Sequence, residues 1–320
     1  MTLRSTPDRP DRPDPTLHRV WRLPAADAVR GRRALWWTVG PAGELAVLLV
    51  SLKHLSRGRY PRGWPGWRPD TPFTGELVTI TDHEERRTRV TDIRISPSYL
   101  ALLPGSRFLL VSGRTSRGEN GGSWRANTVV YSASGSPEAE FCLGDDIAAL
   151  VTDADGSIWT AYGDEGIYGS RPESGAGLAG WNARGEAIWS PGGRLPDHPL
   201  QGCTAATEDH RAWLVWYPGS SRGGTFLTRI TPATGAVTSY RSPVQRPDGF
   251  AVRGNRAVFT RRDHNKRFTE LLRAELDGDT WSVTDRARVR TPGRVVMHCG
   301  QGRDGFLWIR AGDTWVRVEA

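Results

Sequence analysis

The chain has 320 residues, 38% of them hydrophobic, with 37 glycines, 22 prolines and 14 tryptophans. That supplies an ample core, and the glycine and proline load excludes a fold built from long helices. The formal net charge is +8, yet Lys53 and Lys266 are the only lysines; an arginine bias of this kind follows from GC-rich coding as readily as from function, so charge alone does not point to nucleic acid.

Cys142, Cys203 and Cys299 are odd in number and far apart, which argues against a disulfide framework and a zinc ribbon. Residues 1–15 repeat Asp-Arg-Pro, hold no apolar core of a secretory signal and have nothing to bury. They are expected to be a disordered tail before a single domain over 16–320. The apolar pieces that follow Arg32 and Arg33 are split by the segment 40–44. Each is far shorter than the roughly 18 residues a membrane span needs. Strand, turn, strand is preferred there to a twin-arginine leader or a span. A cytoplasmic, monomeric protein without membrane contact is expected.

Residues 17–23 alternate as one isolated strand. Strands then recur in groups of four. The first unit takes 35–39, 44–52, 75–80 and 88–95, with a long loop over 53–72 and a charged turn over 82–87. The second takes 99–103, 108–112, 125–132 and 139–143. The third runs from Ile147 to Trp189, with turns at Asp155-Gly156 and Arg184-Gly185, where glycine supplies the positive φ of tight hairpins. The fourth takes 203–207, 212–217, 226–231 and 237–241. The fifth takes 249–253, 257–260, 270–276 and 281–284. The sixth has only three strands, 295–299, 306–310 and 314–318. The strand at 17–23 lacks a unit and the last unit lacks a strand; each completes the other. The fold expected is all-β, a six-bladed β-propeller closed by its N-terminal strand, with seven blades as the alternative. Small residues such as Ala148, Ala149, Ala205, Ala206 and Ala251 fall on first strands, as convergence on an axis requires.

The segments Asp153-Ala-Asp-Gly-Ser-Ile-Trp159 and Asp304-Gly-Phe-Leu-Trp308 resemble the Asp-x-x-Gly-x-aliphatic-Trp repeats of bacterial β-propellers, found in two-component-regulator sensor domains and in the virginiamycin B lyase family. Segment 162–169 is similar to one in uncharacterised bacterial propeller proteins. The resemblance is clear in the third and sixth units and implies the fold, which does not fix an activity. In the lyase family a His and a Glu act with a divalent metal; no motif here matches them, and no residue is carried over.

Four-stranded units put the connection between second and third strands on the same face as the link to the next unit. The long segments 53–72, 113–123, 163–177, 218–224 and 261–267 are of this kind, as are the links 190–201, 242–248 and 285–293. Length is therefore concentrated on one face, where propellers bind. Arg59, Arg62, Trp64, Trp67, Arg114, Tyr168, Arg222 and Arg261 are the ligand-binding candidates there, since forked guanidinium groups interleaved with aromatics suit an anionic ligand or an acidic protein surface. The bland alternative is a solvated rim with Trp64 and Trp67 as lids over blade edges. Nucleic acid is the less favoured partner.

Asp164 and Glu165 are adjacent carboxylates on that face. With His198 and His264 they are the candidates for acid–base work in a lyase- or hydrolase-type enzyme, against a bland role as turn caps or arginine partners. His298 and Cys299 alternate across a strand and cannot both ligate one metal without distortion. The segment 219–224 is a weak anion cradle, and no cofactor or metal is expected. The function expected is binding through the long-loop face, with an enzyme sited at the mouth of the central channel as the alternative.

Overall fold

The computed structural model describes residues 17–57, 67–82, 84–118, 122–220, 223–261 and 267–320; for 296–299 it describes the backbone alone. The tail 1–15 and Arg59, Arg62, Trp64, Arg222 and His264 lie outside these residues, as do the side chains of His298 and Cys299.

The chain is all-β with three short α-helices among the described residues. It opens with β1 (His18–Arg22) and α1 (Ala25–Val29). A first set follows: β2 (Arg32–Val39), β3 (Leu45–Ser51), β6 (Phe73–Thr81) and β7 (Glu84–Ile93), with the small hairpin β4 (Leu55–Arg57) and β5 (Trp67–Pro69) inserted. The second set is β8 (Tyr99–Leu103), β9 (Arg107–Val111), β10 (Thr128–Tyr131) and β11 (Pro137–Phe141). The third is β12 (Ile147–Thr152), β13 (Ile158–Tyr162), β14 (Leu178–Trp181) and β15 (Ala187–Trp189), with α2 (Asp164–Ile167) and α3 (Pro172–Gly175) between β13 and β14. The fourth is β16 (Pro199–Glu208), β17 (Arg211–Pro218), β18 (Phe226–Thr231) and β19 (Ala236–Arg241). The fifth is β20 (Gly249–Arg253), β21 (Arg256–Arg261), β22 (Phe268–Asp277) and β23 (Thr280–Arg290). The last is β24 (Val295–Arg303), β25 (Phe306–Ala311) and β26 (Thr314–Glu319), completed by β1. The strand left over at the N-terminus thus supplies the strand missing at the C-terminus, with His18 opposite Arg317 and Arg22 opposite Thr314.

Each set is an antiparallel meander whose side chains alternate between two faces, and both faces are covered. In β3, Leu45, Val47 and Leu49 pack with Trp37, Trp308 and Trp315 on one side. Ala46, Leu48 and Val50 pack with Leu100, Phe108 and Leu110 on the other. That double covering explains an unbroken apolar run in a strand, where one wet face would have required alternation. The pattern repeats around the molecule. Among the described residues the core separates into six clusters, lying between sets one and two, two and three, three and four, four and five, five and six, and six and one.

The sixth cluster lies at the seam between the chain's two ends. Trp21 of β1 packs on Trp315 at 5.1 Å between ring centroids and donates its Nε1 hydrogen to Glu85 at 2.7 Å. The Gln301 amide receives the Val39 N–H and donates to the Trp37 carbonyl, both at 3.1 Å. Helix α1, which the sequence did not announce, links β1 to β2 across this seam. Its buried Asp27 accepts from Arg32 at 3.1 Å and from Arg87 at 2.9 Å. Burial works to raise the Asp27 pKa, but Arg87 and Arg32 outweigh it and hold the carboxyl below its ordinary value.

The Asp-x-x-Gly-x-aliphatic-Trp motif has a local cause in the third set. One Asp153 oxygen accepts the backbone N–H groups of Asp155 and Ser157, closing the turn. The other accepts Trp159 Nε1 at 2.9 Å, pinning a fully buried indole. In the fourth set Glu208 does the same for Trp213 at 3.3 Å. The last set has the shorter turn Asp304-Gly305, and there Trp308 Nε1 has no partner.

Several boundaries differ from expectation. The charged turn expected over 82–87 is shorter, because β6 and β7 pair on to Thr81 and Glu84. The loop expected over 163–177 holds α2 and α3. The largest difference is in the fifth set: β23 was expected to end at 284, and 285–293 to be a link, yet it pairs with β22 as far as Phe268–Arg290.

Candidate functional site

The first strands of the sets touch in cyclic order, β2 to β8, β12, β16, β20, β24 and back to β2. They converge on a central axis that is closed at one end and open at the other. At the closed end β16 and β24 pair in parallel, Ala206 with Gly302 and Thr207 with Arg303. The Arg303 guanidinium is buried there and donates to the carbonyls of Val39 at 3.1 Å and Thr152 at 2.7 Å, tying sets one, three and six together. Burial pulls its pKa down to about 10, against the raising influence of Asp304, Glu44 and Asp153. Crowding along the axis also dictates glycine: a Cβ on Gly249 or Gly300 would stand 2.6 Å from the other's Cα.

At the open end, where the first strands begin, the axis widens into a cavity of about 380 Å³. Every set contributes to its wall: Trp36 and Trp37, Tyr99, Asp146, Gln201 with Thr204, Asp248, and Gln301 with Arg310. Its wall is therefore built of aromatic faces interspersed with carboxylate, amide and hydroxyl groups, a usual composition for a small-molecule pocket. Asp146 and Asp248 each stand one residue before a first strand, β12 and β20. Asp248 is buried at 4% exposure. Asp146 adopts φ 54°, a left-handed conformation that costs an L-residue and is tolerated where the surroundings fix it. Its Oδ2 accepts the Glu165 N–H at 3.1 Å. Burial raises the Asp146 pKa, and this outweighs the lowering by Arg114 and by the Glu165 and Gly166 N–H groups. The Tyr99 hydroxyl donates to the Ile147 carbonyl at 2.8 Å; burial, with Asp146 near, pushes its pKa up.

Arg114 reaches this mouth, but its charge is already matched. Its Nε donates to Asp145 at 3.0 Å and its Nη1 to Glu165. Burial works against its protonated form, and the two carboxylates overcome that and raise its pKa. Arg310 is likewise engaged, donating to the carbonyls of Ala34 at 2.6 Å, Leu35 at 3.0 Å and Gly312 at 3.0 Å.

The other sequence candidates are scattered. Asp164 and Glu165 form the exposed first turn of α2, and neither lines the cavity. His198 is exposed, its Nδ1 2.9 Å from the Pro199 carbonyl, and also stands outside the cavity wall. Tyr168 is 72% exposed. Trp67 packs against the cluster between sets one and two, with Arg57 over its ring at 5.5 Å, which is the lid arrangement. Arg261 ends β21 with its guanidinium 3.6 Å from Glu270. Asp145 and Asp146 form a second pair of adjacent carboxylates on this face, beside Asp164 and Glu165. Sequence reasoning missed Asp146, Asp248, Gln201 and Gln301. A readable signal existed for the first two, a carboxylate directly ahead of a first strand.

Among the described residues no group of three or more His, Cys, Asp or Glu is arranged to hold a metal ion, and no helix is long and apolar enough to cross a membrane. No family model matches the chain, and no curated protein matches it. Among solved structures, it is similar to the hydrazine synthase of Kuenenia stuttgartiensis at 12% identity and a TM-score of 0.48, covering 88% of this chain and 73% of that one. It is similar to TolB from Acinetobacter baumannii at 14% identity and a TM-score of 0.46, covering 83% of this chain and 56% of that one. Neither likeness is close enough to carry a ligand or an activity across.

Proposed function

We propose that the chain is a six-bladed β-propeller acting as a binding module, with a small polar molecule held in the mouth of its central channel. Six four-stranded sets and six intervening core clusters, the last between the final set and the first, support six blades over seven. The observation that carries the ligand site is the cavity itself: all six sets wall it, it opens on the long-loop face, and its opposite end is closed by Arg303. The anionic ligand expected for this face is not favoured in the mouth, because Asp145 and Glu165 compensate Arg114 and backbone carbonyls hold Arg310. A ligand offering hydrogen-bond donors to Asp146, Gln201 and Thr204 suits the wall better.

The enzyme alternative has one observation in its favour, the raised pKa of Asp146 inside a cavity. The acid–base candidate then becomes Asp146 in place of Asp164. One experiment addresses both. A library of polar metabolites is screened by thermal shift, and hits are incubated with the protein and followed by mass spectrometry. Hits that stabilise the wild type but not Thr204→Trp, and return unchanged, support a binding module. Conversion that Asp146→Asn abolishes moves the conclusion to an enzyme. Hits that stabilise Thr204→Trp equally well rule out the mouth.

A further inference from the structure

A second site lies away from the axis, on the outer half of the fifth set. Its origin is the extension of β22 and β23. The sequence Asp285-Arg-Ala-Arg-Val-Arg290 alternates arginine with small apolar residues, which a strand sorts onto opposite faces. Arg286, Arg288 and Arg290 share one face and are exposed. In the ladder, Arg261 stands opposite Glu270, and Glu270 opposite Arg288. Arg261, Glu270 and Arg288 therefore form one row across three strands, with neighbouring strands roughly 4.8 Å apart. Arg286 stands two residues along from Arg288, about 6.8 Å away on the same face.

These residues enclose a groove of about 460 Å³, lined by Arg261, Phe268, Thr269, Glu270, Arg286, Ala287 and Arg288. Among the described residues, three arginines there face one carboxylate. That carboxylate lies 3.6 Å from Arg261 at an exposed edge, a weak pair. Among the described residues no carboxylate is within ion-pair distance of Arg286 or Arg288. Arg288 is held over the Phe268 ring at 4.6 Å, which restrains the side chain without using its charge. A half-buried ring already capped by a guanidinium is not free to stack a base, so the geometry disfavours single-stranded nucleic acid. Planar forks spaced about one to two strand widths apart suit a compact ligand bearing several anionic groups within a few ångströms.

We propose that this groove binds a small, multiply charged anion of the oligophosphate class, through Arg261, Arg286 and Arg288. It is independent of the cavity and stands whether or not the mouth takes a ligand. The test is isothermal titration of the purified protein with inorganic tripolyphosphate at 20 mM and 200 mM salt, beside a 12-residue single-stranded oligonucleotide. Tripolyphosphate is expected to bind at low salt and to weaken about tenfold at high salt, as exposed charges are screened. Arg286→Ser and Arg288→Ser are each expected to weaken it about tenfold. Arg288→Lys, which keeps the charge and loses the fork, should weaken it less than Arg288→Ser. Arg184→Ser, on the opposite face of the molecule, should leave it unchanged. Circular dichroism and melting on each variant separate lost binding from lost fold. No binding of tripolyphosphate at low salt overturns the proposal, as does binding that both serine variants retain. Binding of the oligonucleotide without tripolyphosphate also overturns it and assigns the groove to a nucleic-acid backbone.

Discussion

The channel mouth and the fifth-set groove are both lined by arginine on the long-loop side, and they differ in what surrounds it. At the mouth, Arg114 sits between Asp145 and Glu165, and Arg310 is spent on three carbonyls. In the groove, Arg286 and Arg288 meet neither carboxylate nor carbonyl among the described residues, and Glu270 answers only Arg261. An arginine count therefore measures the charge a surface carries, while the partners decide how much of it a ligand can use. The same residue type builds a polar mouth in one place and an anion site in the other.

Both sites presuppose a closed ring, so opening the ring is the harshest way to break the comparison. Deleting residues 1–16 should leave the melting temperature nearly unchanged. Deleting 1–24 removes β1 with the buried Trp21 and Leu23, and it orphans the edge of β26. Large buried side chains cost about 2–5 kcal/mol each when truncated, so this deletion should lower the melting point steeply or prevent folding. Equal melting of the two deletions would mean that β1 does not hold the ends together.

The next effect in size separates the two arginine settings. Arg288→Ser should weaken tripolyphosphate about tenfold, whereas Arg114→Ser should leave it intact, since Arg114 stands at the mouth, outside the groove, with its charge already paired. Matching losses in the two variants would erase the distinction between the sites.

A smaller effect concerns Asp146. Its folded pKa is raised, so the ionised carboxylate weighs against the fold above that pKa, and the penalty vanishes once pH falls below the ordinary carboxylate value. Asp146→Asn should therefore melt higher than wild type at pH 7, and alike at pH 3. Asp27 behaves oppositely: its lowered pKa gives stability that is present at neutral pH and lost as pH falls through the folded value. Asp27→Asn should melt lower than wild type at pH 7 and approach it in acid. Urea melts across pH check both signs. The smallest change expected is in the stability of Arg114→Ser, about 0–1 kcal/mol, because the pair is exposed.

How far the sequence reached follows the same division between pattern and partnership. Period-two alternation, glycine turns and the mutual completion of residues 17–23 and the last three strands are local signals, and they made the sets legible. The groove was half legible: Asp285 to Arg290 alternates as a strand does, but its arginines read as an interblade link because Trp281–Thr284 already completed a four-stranded unit. The cavity was the least legible. Asp146, Gln201, Asp248 and Gln301 are separated by up to 155 residues and meet only because the first strands converge. Nor could the sequence say that the charge of Arg114 is matched, since Asp145 reaches it from the link between the second and third sets and Glu165 from the connection between β13 and β14.

A crystallographic screen of small polar fragments against the full chain addresses the mouth most directly. Fragments are expected to collect in the cavity, with donor groups on Asp146, Gln201 or Thr204 and a ring or apolar edge toward Trp36, and to be absent there in Thr204→Trp crystals. Fragments bound elsewhere on the surface while the wild-type cavity holds none would contradict a ligand site at the channel mouth.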